Sequence, residues 1–282
     1  MDLIYITWNA SPVIFSLGPL SVRWYGLFWA LSFLMGFLIL KKIFHRESVS
    51  MKELDSLFVH IVVGSIIGAR LGHCFFYDFD YYIANPIEVL FIWQGGLASH
   101  GGAIGIIIAL LLYTKKVSSK SFLWTADRLL ITVALAAALI RFGNIMNHEI
   151  YGHVTDLPWG FRFITNLSAW MNGGDPIYTD PRHPTGLYEA FGYLLVLGSM
   201  LWLYFKRIDK LYEGFLASYF LITLFTVRLV VEFWKEVQSP FEEGMILNMG
   251  QLLSIPLIIA GFVILFITYR RKIPALTLSK TK

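Results

Sequence analysis

Seven stretches of the chain run for close to 20 residues with few or no charged side chains. A helix of about 20 apolar residues crosses a hydrocarbon core of about 30 Å, because each helical residue rises about 1.5 Å. The stretches are apolar nearly all round, whereas helices of a soluble bundle carry a polar face. A mean hydropathy of +0.62, with 15% charged residues, also excludes an ordinary soluble domain. The pattern predicts an all-α integral membrane protein with about seven transmembrane helices, at residues 24–43, 57–76, 97–114, 123–146, 187–205, 214–233 and 250–269.

Lysine and arginine residues are distributed unevenly between the two ends of these spans. One end carries Lys41, Lys42, Arg46, Lys52, Lys115, Lys116, Lys120, Arg128, Lys206, Arg207, Lys210, Arg270, Arg271, Lys272, Lys280 and Lys282. The other end carries only Arg23, Arg162, Arg182 and Lys235 outside the spans. Because cytoplasmic loops are enriched in Lys and Arg, we expect the N-terminus outside and the C-terminus in the cytoplasm. The net charge of +4 is thus a topology signal, and no nucleic-acid partner is expected.

The segments outside the spans predict one polytopic membrane domain over residues 1–282. Residues 1–22 are apolar and contain Pro12, Gly18 and Pro19, which indicates an interfacial segment lying along the membrane. No cleavable signal peptide is expected, since the first basic residue is Arg23. Residues 147–186 are long enough to form a small external head loop, and loops of that length are usually functional.

Three arginines, Arg70, Arg141 and Arg228, lie inside the predicted spans. Each costs about 2.5–3.5 kcal/mol at the centre of a span and less near its end. The predicted topology places them, with Tyr25 and His100, at similar depths near the outer leaflet. An arginine near a span end can also snorkel to the interface, and for Arg70 that, or a structural ion pair, stays an alternative.

Acidic partners for these arginines are scarce in the sequence. Glu232 follows Arg228 by four residues, so the two are predicted to pair on one helix face. The remaining surplus of cations indicates an anionic guest, and the planar fork of arginine suits a phosphate. A phospholipid headgroup carries the nearest phosphate at that depth.

The densest polar run closes the fourth span, from Arg141 to Glu149. Asn144 and Asn147 can donate and accept hydrogen bonds there, and Gly152 follows shortly after. A second run surrounds His100 with glycines, which favours close helix packing or a backbone-lined pocket. Histidine is the natural general base near neutral pH, although a histidine that only caps or packs at the interface stays an alternative.

Motifs for metal hydrolases, phosphate-binding loops and serine nucleophiles are not found in the sequence. Cys74 is the single cysteine, which excludes an internal disulfide and any cysteine cluster for zinc. Cys74 lies in the second span and is expected to pack rather than react. We therefore expect neither a metal site nor a cofactor.

Taken together, the runs resemble the prolipoprotein diacylglyceryl transferase family over nearly the whole chain. The resemblance rests on Arg23-Trp-Tyr-Gly, His100-Gly-Gly, Arg141 to Glu149, His183 to Glu189, Arg228 with Glu232, and Gly250-Gln-Leu-Leu-Ser-Ile-Pro. The chain departs from the family at three positions: Ile140 replaces the usual glycine, Gly186 the usual glutamine and Lys235 the usual arginine.

The resemblance implies a bacterial inner-membrane enzyme whose active site faces the outer leaflet. Its partners would be phosphatidylglycerol and a prolipoprotein lipobox peptide, whose cysteine thiol takes the diacylglyceryl group while glycerol phosphate leaves. It implies catalytic roles for His100 as base and for Arg141, Arg228 and Tyr25. It implies substrate binding by Arg141, Asn144, Asn147, Glu149, Gly152, Arg228 and Glu232.

Two other classes of function stay open from the sequence. A transporter or flippase for an anionic lipid would need polar groups at successive depths, and many transporters are built from inverted repeats. A structural or partner-binding membrane protein would need no histidine among glycines beside arginines. Turnover of phosphatidylglycerol and a lipobox peptide by the purified protein separates the three classes.

Overall fold

The computed structural model describes residues 5–18, 20–237, 242 and 244–276, and its architecture is helical. The long helices are α1 (Trp24–Arg46), α2 (Met51–Phe76), α4 (Ser99–Lys116), α5 (Phe122–Met146), α7 (Thr185–Arg207), α8 (Phe215–Val231) and α9 (Met249–Arg271). The short helices are α3 (Phe79–Ala84) and α6 (Leu167–Met171). The strands are β1 (Ile6–Thr7), β2 (Val13–Leu17), β3 (Leu20–Arg23) and β4 (Phe161–Arg162).

The predicted membrane spans correspond to the seven long helices of the described chain. Six of them are long and apolar enough to cross a membrane, and α4 is a further helix of 18 residues. Helix α4 is less apolar because it begins with Ser99, His100 and two glycines and ends with Lys115 and Lys116. The all-α membrane fold is therefore confirmed, and the orientation stays a prediction.

The chain divides into two compact units, whose boundaries fall within α1 and α5. One unit comprises residues 1–38 and 129–282, and the other comprises residues 39–128. We call them the large unit and the small unit.

In the small unit, α2 packs on α4 through a seam of glycines. A Cβ atom added at Gly68 would collide with the backbone of Gly101 and Gly105, and one added at Gly72 would lie 2.6 Å from Gly101 Cα. Small residues let helix backbones approach this closely. The glycines around His100 thus serve close helix packing, which is one of the two roles expected of them.

Arg70 also belongs to the small unit, where it binds a loop rather than a guest. Its guanidinium donates to the carbonyl oxygens of Val89 at 2.9 Å, Gly95 at 2.8 Å and Glu88 at 2.5 Å. The group also lies 4.9 Å from the centre of the Tyr82 ring. The structural ion pair expected as one alternative for Arg70 is not found among the described residues, because backbone carbonyls take its donors; snorkelling stays a prediction.

In the large unit, α8 packs against both α7 and α9. The N-terminal segment is folded against the head loop: β1 pairs in parallel with β4, with Ile6 opposite Phe161. The indole Nε1 of Trp8 donates to the carbonyl of Ile145 at 3.0 Å. Strands β2 and β3 form an antiparallel hairpin that leads directly into α1.

Candidate active site

The C-terminal end of α5 begins a network of polar side chains in the large unit. Arg141 donates to Asn144 Oδ1 at 3.1 Å, and Asn144 Nδ2 donates to Glu149 Oε1 at 2.7 Å. Asn147 Nδ2 lies 3.4 Å from the same oxygen of Glu149. The sequence-predicted run from Arg141 to Glu149 is therefore one hydrogen-bonded chain, in which Asn144 joins the guanidinium to the carboxylate.

Glu189 of α7 is the central anion of the site, and it is absent from the predicted site residues. Its carboxylate is fully buried and lies 2.7 Å from Arg141 Nε. Tyr193, one helical turn further along α7, donates its hydroxyl to the other Glu189 oxygen at 3.1 Å. A glutamate four residues before a tyrosine inside a predicted span was the available signal, because a carboxylate there needs a partner.

Glu232 pairs with Lys235 and not with Arg228, so the predicted Arg228–Glu232 pair is wrong. Lys235 Nζ lies 3.2 Å from Glu232 Oε2 and 3.6 Å from Glu189 Oε2, which makes it a bridge between the two carboxylates. Helix α8 ends at Val231, and residues 232–234 form a tighter 3₁₀ turn. The Glu232 amide still donates to the Arg228 carbonyl, so the i,i+4 spacing is kept, but the Glu232 carboxylate is bound by Lys235 instead.

Gly250, in the first turn of α9, approaches the Glu232 carboxylate closely. A Cβ atom at Gly250 would collide with that carboxylate. The preceding turn is fixed by a capping box between Asn248 and Gln251. The N-terminus of α9 thus faces Glu232, and its positive end favours a carboxylate there.

Among the buried polar atoms without a hydrogen-bond partner in the described residues are Arg228 Nε, a donor, and Asn147 Oδ1, an acceptor; Glu189 Oε2 is another, although it lies within ion-pair distance of Arg141 and Lys235. Arg228 is close enough to Tyr193 for the two side chains to interact electrostatically. Because buried polar groups are nearly always paired, such open atoms suit a guest that both accepts and donates.

Arg228 is the cation of this network that is left without an ion pair. The network holds three cations, Arg141, Arg228 and Lys235, and three carboxylates, Glu189, Glu232 and the exposed Glu149. Arg141 and Lys235 pair with Glu189 and Glu232, whereas Arg228 forms no ion pair among the described residues and is available to bind a phosphate. Groups of three or more His, Cys, Asp or Glu side chains able to hold a metal are not found in the described chain.

Tyr25 lies beside this network, at the start of α1. Its ring packs against the backbone of α5, where a Cβ atom at Gly143 would lie only 2.8 Å from Tyr25 Cδ2. Tyr25 interacts electrostatically with Glu149 and Arg141. Gly143 is therefore the residue that lets a predicted site tyrosine reach the end of α5.

Gly152 has a clear packing role in this arrangement. A Cβ atom there would collide with the carbonyl oxygen of Trp234 and the side chains of His183 and Thr185. Its amide donates to the carbonyl of His183 at 2.8 Å. The glycine lets the head loop pass between the start of α7 and the 3₁₀ turn that carries Lys235. Substrate contact by Gly152 stays a prediction.

His148 fastens the N-terminal segment to the head loop just beyond α5. Its Nδ1 accepts from the amide of Ile164 at 3.1 Å, so Nε2 carries the proton and donates to the carbonyl of Ala10 at 2.9 Å. Burial lowers the pKa of His148 below its ordinary value, although the bond to Ala10 opposes that shift. His148 and Ile150 both have positive φ, at 55° and 59°, which is strained for a β-branched residue.

His100 and Cys74 belong to the small unit. His100 is half-buried in the first turn of α4, with its ring 5.3 Å from that of Phe76 and 5.7 Å from that of Tyr77. Cys74 is 4% exposed on α2, which fits the packing role expected of it.

Comparison with known proteins finds relatives that match almost the whole chain. The family model described as prolipoprotein diacylglyceryl transferase matches residues 12–267. A phosphatidylglycerol–prolipoprotein diacylglyceryl transferase of Porphyromonas gingivalis is 47% identical over 268 residues, 91% of this chain and 92% of the relative. Namesakes from Tolumonas auensis and Chloroherpeton thalassium are 40% and 41% identical, covering 94% and 93% of this chain and 98% and 94% of theirs. The chain therefore belongs to the prolipoprotein diacylglyceryl transferase family.

Proposed function

We propose that this protein transfers the diacylglyceryl group of phosphatidylglycerol to the lipobox cysteine of prolipoproteins, the first step of lipoprotein maturation. The observation that carries the proposal is the buried cluster around Glu189, where Arg141 and Lys235 bind the carboxylate and the nearby Arg228 keeps a buried donor, Nε, without a partner among the described residues. Family membership supports phosphatidylglycerol as the anion bound there, because the relatives are named for phosphatidylglycerol and prolipoprotein.

The reaction has four steps, which together replace a carbon–oxygen bond at one glycerol carbon with a carbon–sulfur bond. The cysteine thiol loses its proton, its sulfur attacks the carbon that bears the phosphate ester, the carbon–oxygen bond breaks, and glycerol phosphate leaves. A thiol has a pKa of about 8.5 and is mostly protonated at neutral pH, so a base accelerates the first step. His100 is the proposed base, and no reactive cysteine of the enzyme is required.

Arg141 and Arg228 are the proposed stabilisers of the phosphate on which negative charge develops. Guanidinium groups bind phosphate through two parallel N–H donors, and stabilisation of developing charge is usually the largest catalytic effect. Asn144, Asn147 and Glu149 would orient the headgroup from the end of α5. Tyr25 would complete that arrangement, and Glu232 would act through Lys235.

The proposed location is the bacterial inner membrane, with the site toward the outer leaflet. Support comes from the Lys and Arg surplus at the opposite ends of the helices and from the apolar composition of the long helices. The lipobox peptide would reach the site from the outer side, where the head loop is predicted to lie.

The deciding experiment incubates purified protein with phosphatidylglycerol and a lipobox peptide and follows the peptide by mass spectrometry. The peptide should gain the mass of one diacylglyceryl group on its cysteine, with release of glycerol phosphate. A cysteine-to-serine peptide is the matched control and should stay unmodified. Unmodified cysteine peptide, with movement of lipid between leaflets of vesicles, would favour a flippase instead.

A further inference from the structure

The β2–β3 hairpin has two chemically different faces. Phe15 pairs with Val22, and both lie on one face; Ser16 pairs with Ser21 on the other. Phe15 is 50% exposed and Leu17 is 67% exposed, so the apolar face is largely uncovered by the rest of the described chain. A hairpin that exposes large apolar side chains immediately before a membrane-spanning helix is suited to rest on lipid.

The polar face of the hairpin lines an open cavity of about 650 Å³. Helix α6 of the head loop forms the opposite wall. The polar groups that line the cavity are four serines, one arginine and one asparagine: Ser11, Ser16, Ser21, Ser168, Arg23 and Asn172. Trp170 also contributes, and tryptophan is enriched at membrane interfaces.

Arg23 gives the cavity its charge. It is the one charged side chain among the described lining residues, and it has no ion-pair partner within the described part of the chain. It directly precedes α1, so its guanidinium lies where a membrane span begins. One arginine surrounded by hydroxyl groups matches a single phosphate that carries hydroxyls of its own.

We propose that the cavity between the β2–β3 hairpin and α6 binds the glycerophosphate headgroup of an anionic phospholipid at the membrane surface. None of its lining residues belongs to the Arg141–Glu189 cluster, so this is a second headgroup site. The bare apolar face of the hairpin favours a membrane lipid over a soluble phosphate. The choice of glycerophosphate among anionic headgroups rests on the proposed function.

The test uses the full-length protein in detergent and counts bound short-chain phosphatidylglycerol by native mass spectrometry. Arg141→Gln serves as the background, because it weakens the cluster described above. In that background, Arg23→Gln should weaken the remaining lipid binding at least about tenfold, in keeping with one lost charge-assisted contact. Lys116→Gln, which removes an exposed cation at the end of α4, is the matched control. In the same Arg141→Gln background it should leave lipid binding within twofold.

The double variant Ser168→Ala with Asn172→Ala tests the opposite wall of the cavity. It should also weaken binding, and it decides the question if Arg23→Gln fails to fold. Short-chain phosphatidylcholine should bind at least about tenfold more weakly than phosphatidylglycerol, because choline adds a cation and lacks hydroxyls. Unchanged binding of phosphatidylglycerol in folded Arg23→Gln and in the double variant would overturn the proposal.

Two further binding measurements would show whether the cavity binds a different ligand. Free glycerol phosphate that binds as tightly as the lipid, with the same dependence on Arg23, would overturn the lipid as ligand. Arg23-dependent binding of a lipobox peptide alone would assign the cavity to the peptide. Turnover is measured separately: an active enzyme without Arg23-dependent lipid binding refutes only this site. An inactive wild type refutes the proposed function and leaves this binding measurement valid.

Discussion

Glu189 is the residue on which the geometry of Arg141 depends. Glu189→Gln keeps the shape and the partner for Tyr193 but removes the charge that lies 2.7 Å from Arg141 Nε. Breaking a buried pair leaves an uncompensated charge. We expect turnover to fall at least about tenfold, while KM for phosphatidylglycerol stays similar or falls because the cluster gains net positive charge. Steady-state kinetics separate the two constants.

The control for this variant is Glu236→Gln. Glu236 forms an ion pair with Arg182 at 2.6 Å, but its side chain is 41% exposed. Exposed pairs contribute about 0–1 kcal/mol, so this variant should retain near-normal kinetics. Equal kinetics in the Glu189 variant and the wild type would show that the buried pair has no part in positioning Arg141.

His100 is tested by replacing its ring with a side chain of similar reach that takes no proton near neutrality. His100→Asn should bind phosphatidylglycerol normally and turn over at least about 100-fold more slowly, the lower end of general base catalysis. Raising the pH should restore the variant more than the wild type, because more of the substrate thiol then ionises unaided. A slow variant with lost lipid binding and no response to pH would make His100 a headgroup ligand instead.

His148 predicts a pH dependence of stability. Its folded-state pKa is lowered by burial, and both ring nitrogens are already bonded in the neutral form. Below a pH of about 6.5, the unfolded chain binds a proton that the folded chain refuses. The free energy of unfolding should therefore fall as the pH drops through 6.5 toward the lower folded-state value, and stay level above it.

Amide hydrogen exchange near Ala10 and Ile164 measures this effect between about pH 5 and 8. Protection should decrease on the acid side once intrinsic exchange rates are corrected for pH. His45→Gln, which alters an exposed histidine, should keep the dependence. His148→Phe should remove the dependence, at lower overall protection. If protection in His148→Phe still decreases at acid pH as in the wild type, the titrating group is a different residue.

At the scale of elements, the α2–α4 seam sets how closely two helices approach. Gly105→Ala places a methyl group against the Gly64 carbonyl and Gly68 Cα. Since both neighbours are backbone, a helix must shift, and overpacking of this kind costs about 1–3 kcal/mol or more. We expect a lower unfolding temperature in detergent.

Gly198→Ala is the matched control on α7. An added Cβ there meets nothing within 4 Å, so the change should be neutral or stabilise by about 0.5–1 kcal/mol through helix propensity. Equal unfolding temperatures for Gly105→Ala and Gly198→Ala would show that the α2–α4 seam accommodates the added methyl group without loss of stability.

The elements were predicted from the sequence more completely than the contacts between them. Hydropathy located the long helices, because burial in lipid requires an apolar run whatever the neighbours are. It did not reveal the β2–β3 hairpin, which begins at Val13, ends at Arg23 and falls almost wholly in the segment expected only to be interfacial. Short strands give only a weak hydropathy pattern when one face of the hairpin is polar and the other is apolar but exposed.

Within the candidate site, too, the residues were predicted more completely than the contacts between them. The run from Arg141 to Glu149 was found because its partners are near in sequence. Glu189 was missed as a partner, because it joins Arg141 through a tertiary contact that spacing does not encode. Lys235 was also missed, although it follows its partner Glu232 by only three residues. The Arg228–Glu232 prediction failed although the backbone keeps the i,i+4 spacing, because Lys235, three residues further on, binds the Glu232 carboxylate.

At the scale of the whole molecule, the Lys and Arg asymmetry predicts the orientation. A reporter fused after Lys120 should read as cytoplasmic, and one inserted near Asn172 should read as external. Alkaline phosphatase and a fluorescent protein that matures only in the cytoplasm provide complementary readouts. The opposite pattern would place the Arg141–Glu189 cluster toward the inner leaflet and exclude the proposed route of the precursor peptide.

The attachment of the N-terminal segment to the head loop has a consequence for synthesis. Trp8 and Ala10 find their partners, Ile145 and His148, 137 and 138 residues later. At about 5–20 residues per second, the ribosome needs roughly 7–30 s to supply those partners. The first segment to emerge is thus among the last to be fixed, because its contacts wait for half of the chain. The strand partner of β1, β4, follows at residues 161–162, and a nascent chain halted before residue 161 would keep the edge of β1 open to proteases or chaperones.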